Sequence, residues 1–411
     1  MKQSKYFAKT LKDVPKEETS INAQLLIKGR YIDKLMAGVY TLLPLGLRVV
    51  KKIENIIREE MNAVGGQELF MPALHPIENY ITTKRDQIDI LFHLESITSK
   101  KMVLGMSHEE VITPLVKQYI NSYKDLPISL YQIQTKFRNE LRAKSGILRG
   151  REFIMKDLYS FHADEKDFEE YYNRLKVAYK NIFSRVGLGD STYLTFASGG
   201  SFSKFSHEFQ TITESGEDTI YLCEKCNVAV NNEIIDTQDK CPECGSKDLT
   251  KKKSIEVGNI FPLKTKFSDA FGLKYTDKDG KNQPIIMGCY GIGLTRLMGA
   301  VAEIYNDKDG LVWPETLTPF DVHLVLLGNN DDTKKQADKV YDELIKAGKD
   351  VLYDDRDESA GKKLKDADLI GISRRLIISE KTDGQVEYKL RNQEKVEVIT
   401  IPAAIKRLKD K

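Results

Sequence analysis

The segments 137–140 and 149–153 contain residue types that bind nucleotides. They read FRNE and RGREF, and a polar loop separates them. At a strand end, Arg138 would donate paired hydrogen bonds to a phosphate, while Glu140 would accept one from an adenine amino group. The ring of Phe153 would stack on the base. Taken alone, this pattern is also typical of a surface strand, so it needs support from elsewhere in the chain.

A second candidate for a phosphate-binding segment lies at 288–296, which reads GCYGIGLTR. Its glycines are spaced differently from the GxGxxG fingerprint of dinucleotide-binding folds, so that assignment is excluded. Glycine in a strand allows a ligand or another chain segment to approach closely, and Arg296 would then direct a fixed charge at a phosphate. Tight packing of a strand on a helix is the alternative interpretation.

Four of the five cysteines form two CxxC pairs with fourteen residues between them. They are Cys223, Cys226, Cys241 and Cys244. Four thiolates at this spacing predict a closed, tetrahedral, structural Zn²⁺ site. A loop of free thiols is the alternative. Redox chemistry is disfavoured because one CxxC pair would suffice for it.

The candidate residues need a rigid framework, and hydrophobic periodicity predicts one. The predicted elements are strands at 128–138 and 151–161, helices within 20–64 and at 164–186, and a strand entering a helix over 285–304. We therefore expect an α+β fold over residues 1–314, with a mixed, mainly antiparallel sheet. The four-cysteine module occupies about 222–252 within it.

The chain changes character after a proline-punctuated linker at 313–319. Strand-like and helix-like segments then alternate, which predicts a separate small α/β domain at 318–411 with a mostly parallel sheet.

The overall composition constrains the possible partners and location of the protein less tightly than the motifs do. The chain has 411 residues and a formal net charge of +2, which neither supports nor excludes a nucleic-acid partner. The segment 136–156 is locally basic. No stretch approaches the ~20 apolar residues of a membrane span, and no secretion signal is evident, so we expect no membrane partner and a cytoplasmic location.

The order of these segments resembles the three signature motifs of class II aminoacyl-tRNA synthetases: a long helix and strand before Pro72, then 137–153, then 288–296. Closer matches resemble the bacterial-type prolyl-tRNA synthetases. These are TLLPLG (41–46), SHEEVIT (107–113), RGREFIMKDLYSFH (149–162), SHEFQ (206–210), IEVGNIF (255–261), GCYGIG (288–293) and LVWPE (311–315). The resemblance covers nearly the whole chain.

The resemblance implies that the chain joins L-proline to tRNA(Pro) through a prolyl-adenylate, using ATP and Mg²⁺. Catalysis would fall to Arg138 and Arg296. The implied ATP-binding residues are Arg138, Glu140, Phe153 and Arg296, and the implied proline-binding residues are Ser107, Glu109, Arg138, His207 and Cys289. Arg142 and Lys144 would contact the tRNA acceptor end. The C-terminal domain would bind the anticodon through Asp354, Asp355, Arg356, Lys362 and Lys363. The first motif would form a homodimer interface.

The chain departs from the family pattern in two informative ways. Ser107 replaces the usual threonine, which keeps a hydroxyl, and Asn259 replaces the usual histidine, which removes a titratable group. The family's large editing insertion is also missing, because the interval between the second and third motifs holds only the module at 222–252. We therefore expect no removal of mischarged alanine by the chain itself.

Three alternatives stay open at this point. They are a threonyl-type or other class II synthetase of the same subgroup, a catalytically silent paralogue, and an RNA-binding protein built on the cysteine module. The retained Arg138, Glu140 and Arg296 count against the silent paralogue.

Overall fold

The computed structural model describes residues 1–13, 18–143, 145–200, 202 and 205–409. They form two compact units. One comprises Met1–Lys34, Thr41–Lys52 and Val301–Lys411, and the other comprises Leu35–Tyr40 and Ile53–Ala300. The division into domains at 1–314 and 318–411 stays a prediction. No helix within the described part of the chain is long and apolar enough to cross a bilayer.

The secondary structure alternates short helices and strands along the chain. The helices are α1 Ile21–Lys28, α2 Pro44–Ala63, α3 Ile77–Thr82, α4 Glu109–Val116, α5 Glu165–Arg185, α6 Lys266–Phe271, α7 Leu294–Ile304, α8 Asp331–Lys346, α9 Ala360–Ile370 and α10 Ile401–Lys409. The strands are β1 Ile32–Met36, β2 Val39–Leu42, β3 Gln67–Glu68, β4 Leu74–Pro76, β5 Phe92–Glu95, β6 Lys101–Leu104, β7 Ile128–Phe137, β8 Glu152–His162, β9 Thr192–Ser198, β10 Phe205–Ile212, β11 Asp218–Cys223, β12 Val228–Asn231, β13 Thr250–Lys264, β14 Lys274–Thr276, β15 Asn282–Pro284, β16 Ile286–Gly293, β17 Asn306–Asp307, β18 Gly310–Leu311, β19 Val322–Leu326, β20 Val351–Asp354, β21 Arg374–Ile378, β22 Val386–Leu390 and β23 Val396–Ile399.

A sheet of nine described strands forms the framework of the larger unit, in the order β10-β9-β12-β11-β13-β16-β8-β7-β3. Its central pairs, from β13 to β7, are antiparallel. The prediction of a mixed, mainly antiparallel sheet is confirmed, and so is the antiparallel pair of strands around the polar loop.

Helix α5 covers one face of this sheet. It begins where the Asp164 side chain accepts a hydrogen bond from the Asp167 N–H at 2.9 Å, which satisfies a donor that the helix leaves unpaired. Its buried rings Tyr179 and Phe183 lie 5.1 and 5.2 Å from the ring of Phe209 on β10. The predicted helix at 164–186 is therefore confirmed. The candidate functional site lies on the opposite face of the sheet.

The prediction of helices throughout 20–64 is wrong in its middle, where β1 and β2 form a hairpin. The turn requires Gly38, whose φ of +77° is a backbone conformation that few other residues adopt. The predicted helical spacing of apolar residues in the second half of this segment is confirmed, because Val49, Ile53 and Ile57 on α2 are fully buried.

The C-terminal strands form a five-stranded sheet in the order β20-β19-β21-β22-β23. β19 pairs in parallel with β20 and β21, whereas β21–β22 and β22–β23 are antiparallel. The expected mostly parallel sheet is therefore mixed. A parallel pair needs a crossover of about a dozen residues, and the chain between Ile378 and Val386 is too short for one.

Candidate active site

Arg138 lies just beyond the end of β7, and the paired strand holds it there. Its backbone N–H donates to the Arg151 carbonyl at 2.8 Å, and its guanidinium lies 5.2 Å from the centre of the Phe153 ring. The Arg138 Nε atom is buried and has no hydrogen-bond partner among the described residues. Burial, and next the charge of Arg296, lower the pKa of Arg138. A half-buried guanidinium with an unpaired donor favours binding of an anion.

Arg296 comes from the other side of the cleft, in the first turn of α7. Its Nε donates to the Leu148 carbonyl at 2.8 Å, and its Nη1 donates to the Glu256 carbonyl at 2.8 Å. The Glu256 carboxylate lies 3.2 Å from the same Nη1. These contacts fix the plane of the guanidinium. The cleft is lined by Arg138, Glu140, Phe153, Thr295 and Arg296.

The glycines of the third motif allow close packing at this site. A Cβ on Gly288 would lie 2.4 Å from the Tyr290 hydroxyl, and one on Gly291 would lie 2.8 Å from Oδ1 of Asn259. Asn259 in turn donates through Nδ2 to Glu256 at 2.7 Å. The predicted close approach therefore involves side chains of the same domain, and it connects β13 with β16.

A second cavity, open to solvent, adjoins the cleft at Arg138. It is lined by Ser107, Glu109 and Cys289, among others. Glu109 is fully buried, and its carboxylate accepts hydrogen bonds from the Ser107 hydroxyl and, at 3.1 Å, from the Cys289 thiol. The Nη1 atom of Arg85 lies 3.4 Å from the same carboxylate. Burial, and next the charge of Glu109, raise the pKa of Cys289, which keeps it a neutral thiol.

A buried charge network supports the turn that carries Glu109. Lys136 pairs with Asp157 at 2.7 Å, and the Tyr159 hydroxyl donates to Asp157 at 2.9 Å. That hydroxyl also accepts from the His108 N–H at 2.8 Å, which fixes the residue before Glu109. Burial alone would raise the pKa of Asp157, but Lys136, His108 and the hydrogen bonds to the carboxylate together outweigh burial, and the pKa is lowered. The carboxylate is therefore kept charged inside the protein.

His207 does not line this cavity, which corrects its assignment to the proline site. Its Nδ1 lies 2.9 Å from the Tyr172 hydroxyl on α5, on the other face of the sheet. Side chains alternate along a strand, so the neighbouring Glu208 faces the cavity instead. Burial, and then the charge of Glu256, raise the pKa of Glu208 to about 8. The alternation of side chains between the two faces of a strand could have identified Glu208 from the sequence.

The loop between β7 and β8 carries the acceptor-end candidates. Arg142 is exposed there, whereas Lys144 lies outside the described residues. Glu140 accepts from Arg149 at 2.8 Å, so its carboxylate is already in an ion pair at the edge of the cleft.

Two of the anticodon candidates, Asp354 and Lys363, are buried, which corrects their assignment, and a third, Arg356, is half-buried and held by internal acids. Asp354 is fully buried and accepts two hydrogen bonds from Arg356 at 2.8 and 2.7 Å. Arg356 also pairs with Asp366 at 2.9 Å. Lys363 is 1% exposed and donates to the Leu326 carbonyl at 2.7 Å. Asp354 and Lys363 are therefore not available to a partner, and the Arg356 guanidinium is already paired within the unit.

The other two anticodon candidates lie nearer the surface. Asp355 accepts from the backbone N–H and the hydroxyl of Ser4 at 2.8 and 2.7 Å. Lys362 is exposed and pairs with Glu358 at 2.6 Å. A surface ion pair of this kind is weak, so Lys362 can exchange Glu358 for another anion at little cost.

The four cysteine sulfurs converge at the far end of the sheet, within 4.8 Å of one another. Each CxxC segment turns back on itself. The Asn227 N–H donates to the Cys223 carbonyl at 2.9 Å, and the Gly245 N–H donates to the Cys241 carbonyl at 2.8 Å. The positive φ angles of Asn227 and Gly245, +54° and +72°, make these tight turns possible. The predicted clustering is therefore confirmed.

Two family models match the chain. Residues 92–305 match the tRNA synthetase class II core domain (G, H, P, S and T), and residues 321–411 match an anticodon binding domain. A solved structure of Giardia lamblia prolyl-tRNA synthetase in complex with prolyl-adenylate has a TM-score of 0.77 at 19% identity, covering 93% of this chain and 74% of that one. At that identity the likeness concerns the fold.

Sequence relatives are more similar. The proline–tRNA ligase of Dehalococcoides mccartyi strain 195 is 33% identical over 99% of this chain and 98% of its own. That of Geotalea daltonii is 34% identical over 100% of this chain and 99% of its own. The chain therefore belongs to the prolyl-tRNA synthetase family of class II aminoacyl-tRNA ligases.

Proposed function

We propose that this site attaches L-proline to tRNA(Pro) in two steps. In the first, a carboxylate oxygen of proline attacks the α-phosphorus of ATP and pyrophosphate leaves. In the second, the terminal ribose hydroxyl of the tRNA attacks the carbonyl carbon of the adenylate and AMP leaves. The observation that carries the proposal is the position of Arg138, whose buried Nε has no hydrogen-bond partner among the described residues. Its guanidinium lies between a cavity containing buried Glu109 and a cleft containing Arg296. Proline-dependent ATP–pyrophosphate exchange tests it.

Positioning and charge stabilisation account for the chemistry, since neither step needs a protein nucleophile. In this proposal Arg138 contacts the α-phosphate and the proline carboxylate, while Arg296 contacts the γ-phosphate. Phe153 stacks on adenine and Glu140 accepts from its amino group. Mg²⁺ would neutralise charge on the leaving pyrophosphate, and Asp218 and Glu256 are among the carboxylates that line this part of the cleft.

Proline recognition centres on Glu109. Its buried carboxylate would pair with the secondary ammonium of proline, where low solvent exposure strengthens an ion pair. Ser107 and Cys289 already donate to the two carboxylate oxygens, so the charge is oriented before substrate arrives. Asn259 holds Glu256 from the same cavity, which connects the amino-acid cavity to Arg296.

Two further assignments belong to the proposal. The C-terminal unit would bind the anticodon, with Lys362 as the remaining exposed basic candidate. The chain would form a homodimer through the first motif, because Phe70 and Leu74 beside it are 76% and 53% exposed. Contiguous exposed apolar side chains are typical of protein interfaces. The cytoplasmic location stays a prediction.

The cysteine cluster fits a structural Zn²⁺. With Zn–S bonds of ~2.3 Å, a tetrahedron places sulfurs about 3.8 Å apart. The Cys223 and Cys244 sulfurs are 3.8 Å apart. All four thiolates would be occupied as ligands, leaving no open position for chemistry.

Zinc removal is expected to destabilise the fold more than it slows adenylate formation. Chelation, or Cys226→Ser, should lower the unfolding temperature by about 10 °C, because metal binding contributes directly to folding. Proline-dependent exchange at 25 °C should fall by less than about threefold. Calorimetry and exchange on the same samples provide the measurement, with exposed Glu243→Gln in the same module as control. Loss of exchange with an unchanged unfolding temperature would point to a catalytic metal instead.

Because the chain has no counterpart of the large editing insertion, we expect it to leave wrongly attached alanine on tRNA(Pro). The alignment with the Dehalococcoides relative runs over 561 positions and this chain has 411 residues, so at least 150 positions have no counterpart here. Alanine is smaller than proline, and each missing methylene supplies only ~1–3 kcal/mol of discrimination. Alanine should therefore support measurable pyrophosphate exchange, and purified enzyme should not shorten the lifetime of alanyl-tRNA(Pro). Rapid hydrolysis of alanyl-tRNA(Pro) by the enzyme would contradict this.

A further inference from the structure

Two buried histidines, His75 and His108, share the backbone carbonyl of Pro72. Their Nε2 atoms lie 3.0 and 2.9 Å from its oxygen, and the two side chains are 1% and 0% exposed. Because a carbonyl oxygen only accepts hydrogen bonds, both Nε2 atoms carry a proton. The two rings are packed so closely that a Cβ on Gly105 would lie 2.7 Å from His75 Cε1 and 3.0 Å from His108 Cε1. One oxygen therefore receives two imidazole N–H groups.

The second nitrogen of each ring has different surroundings. His75 Nδ1 lies 2.9 Å from the Tyr80 hydroxyl, which donates to it. His108 Nδ1 has no hydrogen-bond partner among the described residues and lies 3.8 Å from the Asp157 carboxylate. Burial is the largest cause that lowers the pKa of the two rings, to about 4 for His75 and about 3 for His108. Both rings are therefore neutral near neutral pH, and their contact with Pro72 does not depend on a charge.

The Pro72 carbonyl is a fixed anchor because the residue before it is bonded to the sheet of the larger unit. The Met71 N–H donates to the Gln132 side chain at 3.0 Å, and the Gln134 side chain donates to the Met71 carbonyl at 2.9 Å. Both glutamines are on β7, and Met71 is 2% exposed. A group that is bonded to the next residue is therefore held against the sheet as well.

His108 separates the two residues of its turn that face the cavity, Ser107 and Glu109. Its own side chain is not among those that line the cavity, so it acts on a bound amino acid only through its neighbours. Its N–H donates to the Tyr159 hydroxyl at 2.8 Å, and its carbonyl accepts from two N–H groups in the first turn of α4 at 3.0 and 2.8 Å. The bond from its imidazole adds a third fixed point, which prevents the turn from rotating about the other two.

We infer that His108 is a positioning residue for proline recognition, and that it acts through the Pro72 carbonyl, which His75 holds from the other side. The imidazole keeps Ser107 and Glu109 in the orientation that meets the secondary ammonium of proline. Filling space would not require either N–H group, whereas orienting the turn does. The inference rests on the proposed function of the cavity.

The test compares two amides at position 108. The amide nitrogen of glutamine reaches about as far as imidazole Nε2, whereas that of the shorter asparagine corresponds to Nδ1 and does not reach the Pro72 carbonyl. In pyrophosphate exchange, His108→Asn should raise the KM for proline about tenfold, with the KM for ATP and kcat changed by less than about twofold. His108→Gln should keep the KM for proline within about threefold of the unmodified protein.

Two further variants make the result specific. His75→Leu removes one of the two donors and should raise the KM for proline about threefold, because His108 keeps its bond to Pro72. His162→Asn is the matched control. His162 is also 1% exposed and lies in the same unit, with Nδ1 2.6 Å from Asp167, but it does not line the cavity. It should leave the KM for proline unchanged, and thermal unfolding of every variant separates lost stability from lost recognition.

Equal KM values for proline in His108→Asn and His108→Gln would overturn the inference, because only glutamine places a donor within reach of Pro72. A rise in the KM for ATP that matches the rise for proline would also overturn it, since the whole site would then have loosened. If His108→Asn does not fold, His75→Leu decides, and an unchanged KM for proline counts against the inference. Absence of proline exchange in the unmodified protein is a separate outcome and contradicts the proposed function itself.

Discussion

Replacing Arg138 with alanine should lower proline-dependent ATP–pyrophosphate exchange by at least about 10²–10³-fold, with little change in the unfolding temperature. Preorganised donors aimed at developing charge contribute about this much to a rate, and the half-buried Arg138 lines both the cavity and the cleft. Its removal should cost the fold little because, among the residues that the structure describes, the guanidinium has no ion-pair partner that would be left unpaired. Steady-state exchange and thermal unfolding measured on the same preparation would check both parts.

Two further variants make the Arg138 result specific. Arg138→Lys keeps a charge and loses the planar fork, so it should recover only part of the activity. Arg174→Ala removes an exposed arginine from α5 and should behave as the unmodified protein does. Exchange in Arg138→Ala within about threefold of the unmodified protein would show that the second motif has been assigned wrongly.

Glu109→Gln should reduce kcat/KM for proline by about 10²–10³-fold while the KM for ATP changes little. Breaking a buried ion pair by neutralising one partner costs roughly 3–5 kcal/mol, and Glu109 is fully buried in the proposed proline cavity. The amide keeps the shape of the side chain, so the loss should appear in proline recognition. Exchange rates measured against proline and ATP concentrations separately provide the measurement.

The adjacent glutamate supplies a matched control. Glu110 is also fully buried and pairs with Arg85 at 2.9 Å, but it is not among the residues that line the cavity. Glu110→Gln should therefore lower the unfolding temperature and leave the KM for proline nearly unchanged. If Glu110→Gln impaired proline use as strongly as Glu109→Gln, the effect would come from the shared Arg85, and Glu109 would lose its assigned role.

Local patterns in the sequence were enough to predict the elements that carry the second and third motifs. Hydrophobic periodicity predicted strands at 128–138 and 151–161 and a helix at 164–186, which are β7, β8 and α5. The meeting of Arg138 and Arg296 was not predictable from local pattern, because 158 positions separate them and only the pairing of β8 with β16 brings their strands together. Resemblance to a family supplied that long-range information.

The differences at the site concern residues that were assigned from the resemblance without knowing which of them the fold buries. Burial of Asp354 was missed because acidic residues are usually exposed, whereas here Arg356 compensates the charge internally. His207 was assigned to the proline site from the family resemblance, although side chains alternate along a strand and only one of His207 and Glu208 can face the cavity. Both outcomes depend on partners that are distant in sequence or on the opposite face of a strand, which local pattern does not report.

The most direct measurement is ATP–pyrophosphate exchange by the purified protein with each of the standard amino acids in turn. Proline should give the fastest exchange by a wide margin, with alanine slower but above background. If proline gave no exchange above the other amino acids, the proposal that this site activates proline would be contradicted.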